Sequence, residues 1–242
     1  IGLAFLSICS FWQMYDNIIP LILQNTYHLG ETMTGAVMAL DNVLAIFLLP
    51  VFGTLSDKVH TKLGRRMPFI VSGTILAVIF MMLLPMIDNA EKARWGTVES
   101  FSNQVIFLAV LFFTLVSMGL YRSPAVALMP DVTPNHLRSR ANAVINLMGA
   151  VGGVYALIMI KVLVGKGETP DYLPLFASIA AVMAIAVGIL VMTIRENKLR
   201  EEVEKAEAAI AETIEEKAMA EGVEAVGEIE AVGDTGAVKA SD

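Results

Sequence analysis

The chain has 242 residues, of which 56% are hydrophobic and 17% are charged. A soluble domain of this size needs more polar surface than this. The composition therefore favours a membrane protein over a soluble domain. The net charge of −7 belongs to the end of the chain, because residues 195–242 sum to −8 and the first 194 residues to +1. That pattern offers no basic surface for a nucleic acid.

Six apolar stretches fill residues 2–194, and each is near the roughly 20 residues that a helix needs to cross a hydrocarbon core about 30 Å thick. They are Gly2–Gln24, Thr34–Leu55, Pro68–Ile87, Val105–Tyr121, Ala143–Val164 and Leu173–Ile194. They lack the residue-by-residue alternation of a barrel strand. We therefore predict an all-α membrane protein, with a six-helix transmembrane bundle at 1–194 and an acidic cytoplasmic segment at 195–242.

The chain starts at Ile1 and its first span lacks a basic leader and a small-residue cleavage site. We interpret this span as a mature helix of a fragment, not as a signal peptide. The single cysteine, Cys9, lies inside it, so no disulfide can form within the chain.

Lysine and arginine residues sort to alternate connections between the spans. The basic side is expected to be cytoplasmic, which places 55–67, 128–141 and the segment after 194 there. The connections 25–33, 88–103 and 165–172 are then external. The Glu/Lys spacing that starts at Arg195 predicts a solvated helix, and disorder is expected after about Lys217. This tail is either a solvated spacer or a regulatory docking segment.

The first two spans carry ionisable side chains, which cost at least about 2.5 kcal/mol at the centre of a membrane helix. Asp16 shares a helical face with Trp12 and Pro20, and Asp41 lies beside Asn42 in the second span. Two carboxylates on neighbouring helices can hold a proton or a small cation in a cavity. The alternative is that one or both only form hydrogen bonds inside the bundle.

The fourth and fifth spans add further polar groups. Arg122 is a natural counter-charge for a buried carboxylate, or it extends to the membrane interface. Asn142 and Asn146 share a face with Gly149 and Gly153, so their amides either bind substrate hydroxyl groups or join two helices. The glycine pair permits close helix approach.

The motifs of common enzyme classes are missing from the sequence. It contains no spaced Cys/His metal cluster, no glycine-rich phosphate loop followed by Lys-Ser/Thr, and no Gly-x-Ser-x-Gly element. We therefore expect no enzyme, no cofactor and no metal site.

The connection between the second and third spans resembles a loop of major facilitator transporters, whose common form is Gly-x-x-x-Asp-Arg/Lys-x-Gly-Arg-Arg/Lys. An insertion displaces the Gly-Arg-Arg part, and the matching residues are Gly53, Asp57, Lys58, Gly64, Arg65 and Arg66. The following Met67-Pro68-Phe69, and the segment from Tyr121 to Asn142, are similar to glycoside–pentoside–hexuronide cation symporters and to sucrose–proton symporters.

The resemblance implies a twelve-helix transporter of two six-helix halves, with a sugar bound between them. This chain would supply the N-terminal half and the start of the central loop. A C-terminal half would follow in the same protein, or a second chain would provide it. The resemblance also implies a plasma membrane location and a gating role for the matching loop.

The sequence alone leaves two candidates for the coupling ion, the proton and sodium. Melibiose-type sodium sites use an acidic pair in the second helix and another acid in the fourth, but here the second span offers only Asp41. We therefore favour proton coupling, with sodium as the alternative. Trp12 or Tyr15 is the candidate aromatic residue for stacking on the sugar. A non-transporting sensor or scaffold on the same fold is the competing class.

Overall fold

The structure is a computed structural model that describes residues 1–59, 61, 63–93, 101–165 and 170–221. The described chain is helical apart from an isolated bridge between Thr61 and Gly64. Its helices are α1 (Gly2–Asn25), α2 (Glu31–Met38), α3 (Leu40–Lys58), α4 (Met67–Lys92), α5 (Phe101–Asp131), α6 (Arg138–Leu163), α7 (Leu173–Thr193) and α8 (Glu196–Glu221), with a 3-10 turn at Asn135–Leu137 before α6.

The predicted all-α membrane fold is confirmed. Five of the described helical segments are long and apolar enough to cross a membrane, beginning with Glu31–Lys58, which contains α2 and α3. The first helix has 24 residues, also enough for a crossing. It falls outside those five because Gln13, Asp16 and Asn17 lower its mean hydropathy. Each predicted span corresponds to one helix except the second, which corresponds to α2 and α3. The largest error in the bounds is at α5, which extends to both sides of the predicted Val105–Tyr121.

The second span is broken at Ala39, which separates α2 from α3. One carboxylate oxygen of Asp41, Oδ1, accepts the backbone N–H of Asn42 at 2.7 Å and its side-chain amide at 2.9 Å. That backbone N–H would otherwise bond to the carbonyl four residues earlier. The side chain of Asp41 therefore replaces a helical hydrogen bond at the break.

Small residues bring the helices into close contact. A Cβ atom at Gly152 of α6 would overlap with the carbonyl oxygen of Leu6 in α1, and Ser10 Oγ donates to the Gly152 carbonyl at 2.9 Å. A Cβ at Gly73 of α4 would lie 2.6 Å from the backbone nitrogen of Tyr121 in α5. The predicted close approach of α6 is therefore present, with its tightest point at Gly152.

A polar cluster joins three elements at the end of the bundle opposite the 59–66 loop. Asp88 in α4 is fully buried, pairs with Lys92 at 2.6 Å and accepts a hydrogen bond from Thr26 at 2.7 Å. Lys92 also donates to the carbonyl of Pro170 and lies 4.4 Å from the ring centroid of Tyr172. Burial, and then the charge of Asp88, raise the pKa of Tyr172. The ends of α1 and α4 and the start of α7 are thus tied together.

The tail begins as predicted, because α8 runs over Glu196–Glu221. Exposed pairs four residues apart line it, including Lys205–Glu201 at 2.6 Å and Arg200–Glu204 at 3.4 Å. The helix continues to residue 221, beyond Lys217, where disorder was expected to begin. The rest of that expectation falls on residues 222–242, which lie outside the described residues.

Candidate functional site

The loop between α3 and α4 forms a charged cluster with α5. Arg66, whose side chain is 7% exposed, contacts Asp131 Oδ2 through Nε at 2.6 Å and Asp57 Oδ1 through Nη2 at 2.8 Å. Its Nη1 donates to Ser56 Oγ at 3.0 Å. Arg65 binds the same oxygen of Asp131 at 2.9 Å and lies 3.8 Å from Asp57. One carboxylate of α5 therefore holds both arginines.

A second carboxylate, that of Glu196, caps the start of α4. Glu196 is fully buried, and its two oxygens accept the backbone N–H groups of Arg65, Arg66 and Met67 at 3.0–3.1 Å. The first N–H groups of a helix have no partner within it and carry a partial positive charge. A carboxylate at this position accepts hydrogen bonds from these N–H groups, and its negative charge lies against their partial positive charge. We call Asp57, Arg65, Arg66, Asp131 and Glu196 the loop cluster.

Gly64 permits this arrangement. Its φ of +121° is in a region that residues with a side chain rarely adopt, and a Cβ there would overlap with the Glu196 carboxylate. The glycine of the motif is thus required both by the turn and by the cap. A Cβ atom at Gly53 of α3 would lie 3.4 Å from Ser123 Oγ of α5, which is an ordinary contact distance. Lys58 ends α3 with an exposed side chain.

The electrostatics of the cluster favour the charged form of Arg65. Burial lowers the pKa of Arg65, but the hydrogen bond and charge of Asp131 oppose it, with the charges of Asp57 and Glu196 adding to this opposition. The net result is a raised pKa. Arg65 Nε is buried without a hydrogen-bond partner among the described residues. The neighbouring N–H groups of the guanidinium carry the ion pairs.

The carboxylates of the first two spans lie on separate helices. Asp16 is exposed on α1, and Asp41 is half-buried at the first turn of α3. Tyr15, next to Asp16 in the chain, is 1% exposed. Asn42 is exposed and donates to Asp41. A shared site of Asp16 and Asp41 stays a prediction.

Arg122 does not pair with either carboxylate in the described structure. Its guanidinium lies over the ring of Trp12, with Cζ 5.5 Å from the ring centroid. Trp12 packs edge-on against Phe11 and Tyr15, at 5.3 and 5.5 Å between centroids. Such a cation–π contact contributes about 0.5–2 kcal/mol, depending on how dry the site is.

The aromatic residues are poorly placed for stacking on a sugar. Tyr15 is buried, and one face of Trp12 has Arg122 against it. Two polar atoms of this group, Trp12 Nε1 and Tyr15 Oη, are buried without a hydrogen-bond partner among the described residues. A buried donor without a partner costs roughly 1–3 kcal/mol, so each is a candidate for a bond to a water molecule or a ligand.

Asn142 and Asn146 are exposed on α6. Farther along the same helix, Gly149 and Gly153 face Cys9 and Gln13 of α1. The two amides are therefore exposed, and they stand among exposed apolar side chains of α6 such as Val144 and Leu147.

Two residues of the loop cluster were missed by the sequence analysis. Asp131 stands in a segment that carried the resemblance, but it received no role. Glu196 was assigned only to the solvated tail. The available signal was an acid at the end of one span and another directly after the last span, each on the basic side of the chain.

The sequence matches the Major Facilitator Superfamily over residues 1–229. The chain belongs to this family. Its curated relatives include sucrose transport protein SUT3 of Oryza sativa subsp. japonica, 24% identical over 151 residues, which are 59% of this chain and 30% of the relative. Sucrose transport protein SUC4 of Arabidopsis thaliana is 34% identical over 116 residues, 45% of this chain and 22% of the relative.

An uncharacterised symporter of Synechocystis is 24% identical over 144 residues, 57% of this chain and 25% of the relative. The chain thus matches between about a fifth and a third of the length of these relatives. Family membership and the apolar helices make it a multi-pass membrane protein. Among the described residues, the loop cluster and the polar side chains of α1, α3 and α6 are the candidate functional sites.

Proposed function

We propose that this chain is the N-terminal six-helix half of a secondary active transporter that moves a sugar, a glycoside or disaccharide, together with a proton. The observation that carries the proposal is the presence of two carboxylates within the first two membrane spans, Asp16 exposed on α1 and Asp41 half-buried at the first turn of α3. Ionisable groups inside membrane spans are costly and mark transport pathways. The names of the curated relatives support a sugar as the substrate.

Transport by this family mechanism requires a second half. The exposed polar residues Asp16, Asn42, Asn142 and Asn146 would face a C-terminal six-helix unit across a central cavity. The second unit belongs to the same protein or to an assembling chain. We call the two halves together the complete transporter. Residues 1–194 would form its first membrane domain in the plasma membrane, with loops 55–67 and 128–141 and the segment 195–242 in the cytoplasm.

Within the cavity, Asp41 would carry the coupling proton, and Asp16 and Arg122 would tune it through their charges. Asn142 and Asn146 would bind hydroxyl groups of the sugar. Trp12 Nε1 and Tyr15 Oη lack partners among the described residues and would donate to the sugar or to bound water. The loop cluster would hold the cytoplasmic ends of α3, α4 and α5 together while the cavity is open to the outside.

The proposal predicts a specific defect when Asp41 loses its charge. The complete transporter is reconstituted in liposomes, and radiolabelled sucrose uptake is measured under separate proton and sodium gradients. Asp41→Asn should abolish uphill accumulation driven by a pH gradient and retain exchange of sucrose down its own gradient. The exposed tail substitution Glu202→Gln, at 59% side-chain exposure, is the matched loss of one negative charge and should leave both processes intact.

Three outcomes decide between alternatives. Sodium-driven uptake that is independent of protons would show that the coupling ion is sodium and not the proton. Unimpaired proton-driven accumulation in Asp41→Asn would move coupling to Asp16 or to the second half. Binding of a sugar without its movement in any gradient would favour a sensor on the same fold.

A further inference from the structure

We propose that Trp12 is a positioning residue, whose half-buried indole ring fixes the direction of the half-buried Arg122 side chain. This inference rests on the proposed function only for its role in sugar transport, because the geometry is a property of the isolated bundle. It also replaces the expectation that Trp12 stacks on the sugar.

The backbone beneath Arg122 is fixed by its neighbour in the sequence. Tyr121 is fully buried, its hydroxyl lies 2.8 Å from Ser7 Oγ, and it donates to the carbonyl of Ala4 at 3.1 Å. These contacts tie α5 to the first turns of α1. Arg122 therefore leaves α5 at a defined point beside α1, and only the direction of its long side chain remains to be set.

Trp12 can set that direction because it is itself held in place. Phe11 and Tyr15 pack edge-on against its ring, and both are 1% exposed. Among the described residues no carboxylate lies within ion-pair distance of Arg122, and its guanidinium lies over the indole instead. A planar guanidinium over an aromatic face is a preferred geometry for arginine.

The single cysteine gives a direct measure of where this charge lies. Cys9 is half-buried on α1, and it lies three residues before Trp12, so the thiol and the ring beneath the Arg122 guanidinium share a helical face. A positive charge close to the thiol attracts an anionic reagent and repels a cationic one. The ratio of the two labelling rates therefore reports the position of the guanidinium without any need for a transported substrate.

The experiment labels the purified chain in nanodiscs with sulfonatoethyl methanethiosulfonate, an anion, and with trimethylammonioethyl methanethiosulfonate, a cation. Arg122→Gln should lower the anion-to-cation rate ratio several-fold, because it removes the charge. Trp12→Leu should lower the ratio to a similar value, and Trp12→Phe, which keeps an aromatic face, should retain most of it. In the double variant Trp12→Leu with Arg122→Gln, the ratio should be no lower than in Arg122→Gln alone.

A normal ratio in Trp12→Leu combined with a lowered ratio in Arg122→Gln would overturn the positioning role. Equal labelling of the wild-type chain and Arg122→Gln would place the guanidinium away from Cys9 and refute the proposal. Failure of both reagents to label the unsubstituted chain would do the same, because the proposal requires Cys9 and Arg122 to be reached from the same water. A complete transporter that moved no sugar would refute the proposed function and leave these results standing.

Discussion

Replacing Asp131 with asparagine tests which carboxylate holds the loop cluster together. Asp131 Oδ2 receives Arg66 Nε at 2.6 Å and Arg65 Nη2 at 2.9 Å, and its side chain is 16% exposed. Asp57 makes one short contact, to Arg66 at 2.8 Å, and is 47% exposed. The motif draws attention to Asp57, but the geometry assigns more of the stability to Asp131.

The expected loss of unfolding free energy depends on how buried the arginine is that each substitution leaves without its ion-pair partner. A hydrogen bond between charged groups contributes about 1.5–3 kcal/mol, and leaving one member of a fully buried pair without its partner costs about 3–5 kcal/mol. Asp131 is partly exposed, so we expect Asp131→Asn to cost about 2–3 kcal/mol after this discount. Asp57 is half-exposed, and an exposed ion pair contributes at most about 1 kcal/mol.

The assay is thermal unfolding of the purified chain in detergent, followed by circular dichroism at the helical band. For a chain of this size, about 1 kcal/mol shifts the midpoint by roughly 2–4 °C. Asp131→Asn should lower it by about 5–10 °C and Asp57→Asn by less than about 4 °C. Glu202→Gln, which removes an exposed pair 3.9 Å long, should change it by no more than about 2 °C. A larger loss in Asp57→Asn than in Asp131→Asn would refute the ranking.

Three further predictions concern the cap, the helix contacts and the cavity. Glu196→Gln should destabilise the chain by about 1–3 kcal/mol in the same assay, because the charged acceptor of three backbone N–H groups becomes neutral. A midpoint unchanged within about 2 °C would show that the Glu196 carboxylate does not stabilise the start of α4. Gly152→Ala should separate α1 from α6 and destabilise the chain by about 1–3 kcal/mol, whereas Gly188→Ala, in open space on α7, should be neutral or slightly stabilising. Asn146→Ala should weaken sucrose binding to the complete transporter in calorimetry more than it lowers the unfolding midpoint. Unchanged sucrose binding in both Asn146→Ala and Asn142→Ala would show that these α6 residues do not contribute to the sugar site.

The helices could be predicted from the sequence because a bilayer allows few alternatives for a run of about 20 apolar residues. The predicted first span ended one residue before α1 does, and the charged loop was found from its glycine and arginines. The break at Ala39 was missed, since it depends on a hydrogen bond from the Asn42 backbone to Asp41 that hydropathy does not report.

The partners of the charged side chains were harder to predict than their positions. Arg122 was expected either to face a carboxylate or to extend to the membrane interface, and its guanidinium lies over the ring of Trp12. Asp131 and Glu196 come from segments 65 and 130 residues away from Arg66, so no local pattern joins them to the loop. Side-chain pairing between helices depends on helix rotation, and rotation is fixed by contacts such as those of Gly73 and Gly152 that a single sequence does not reveal.

One helix connects the two functional regions. Arg122 and Asp131 both belong to α5 and are nine residues apart, about 13–14 Å along a helix axis. Tyr121 fastens this helix to α1 through Ser7, and Asp131 fastens its end to both arginines of the loop. A ligand that draws the guanidinium away from Trp12 therefore acts on the same helix that holds the loop cluster. On the proposed mechanism, α5 is the structural route by which an occupied cavity would change the strength of the gate.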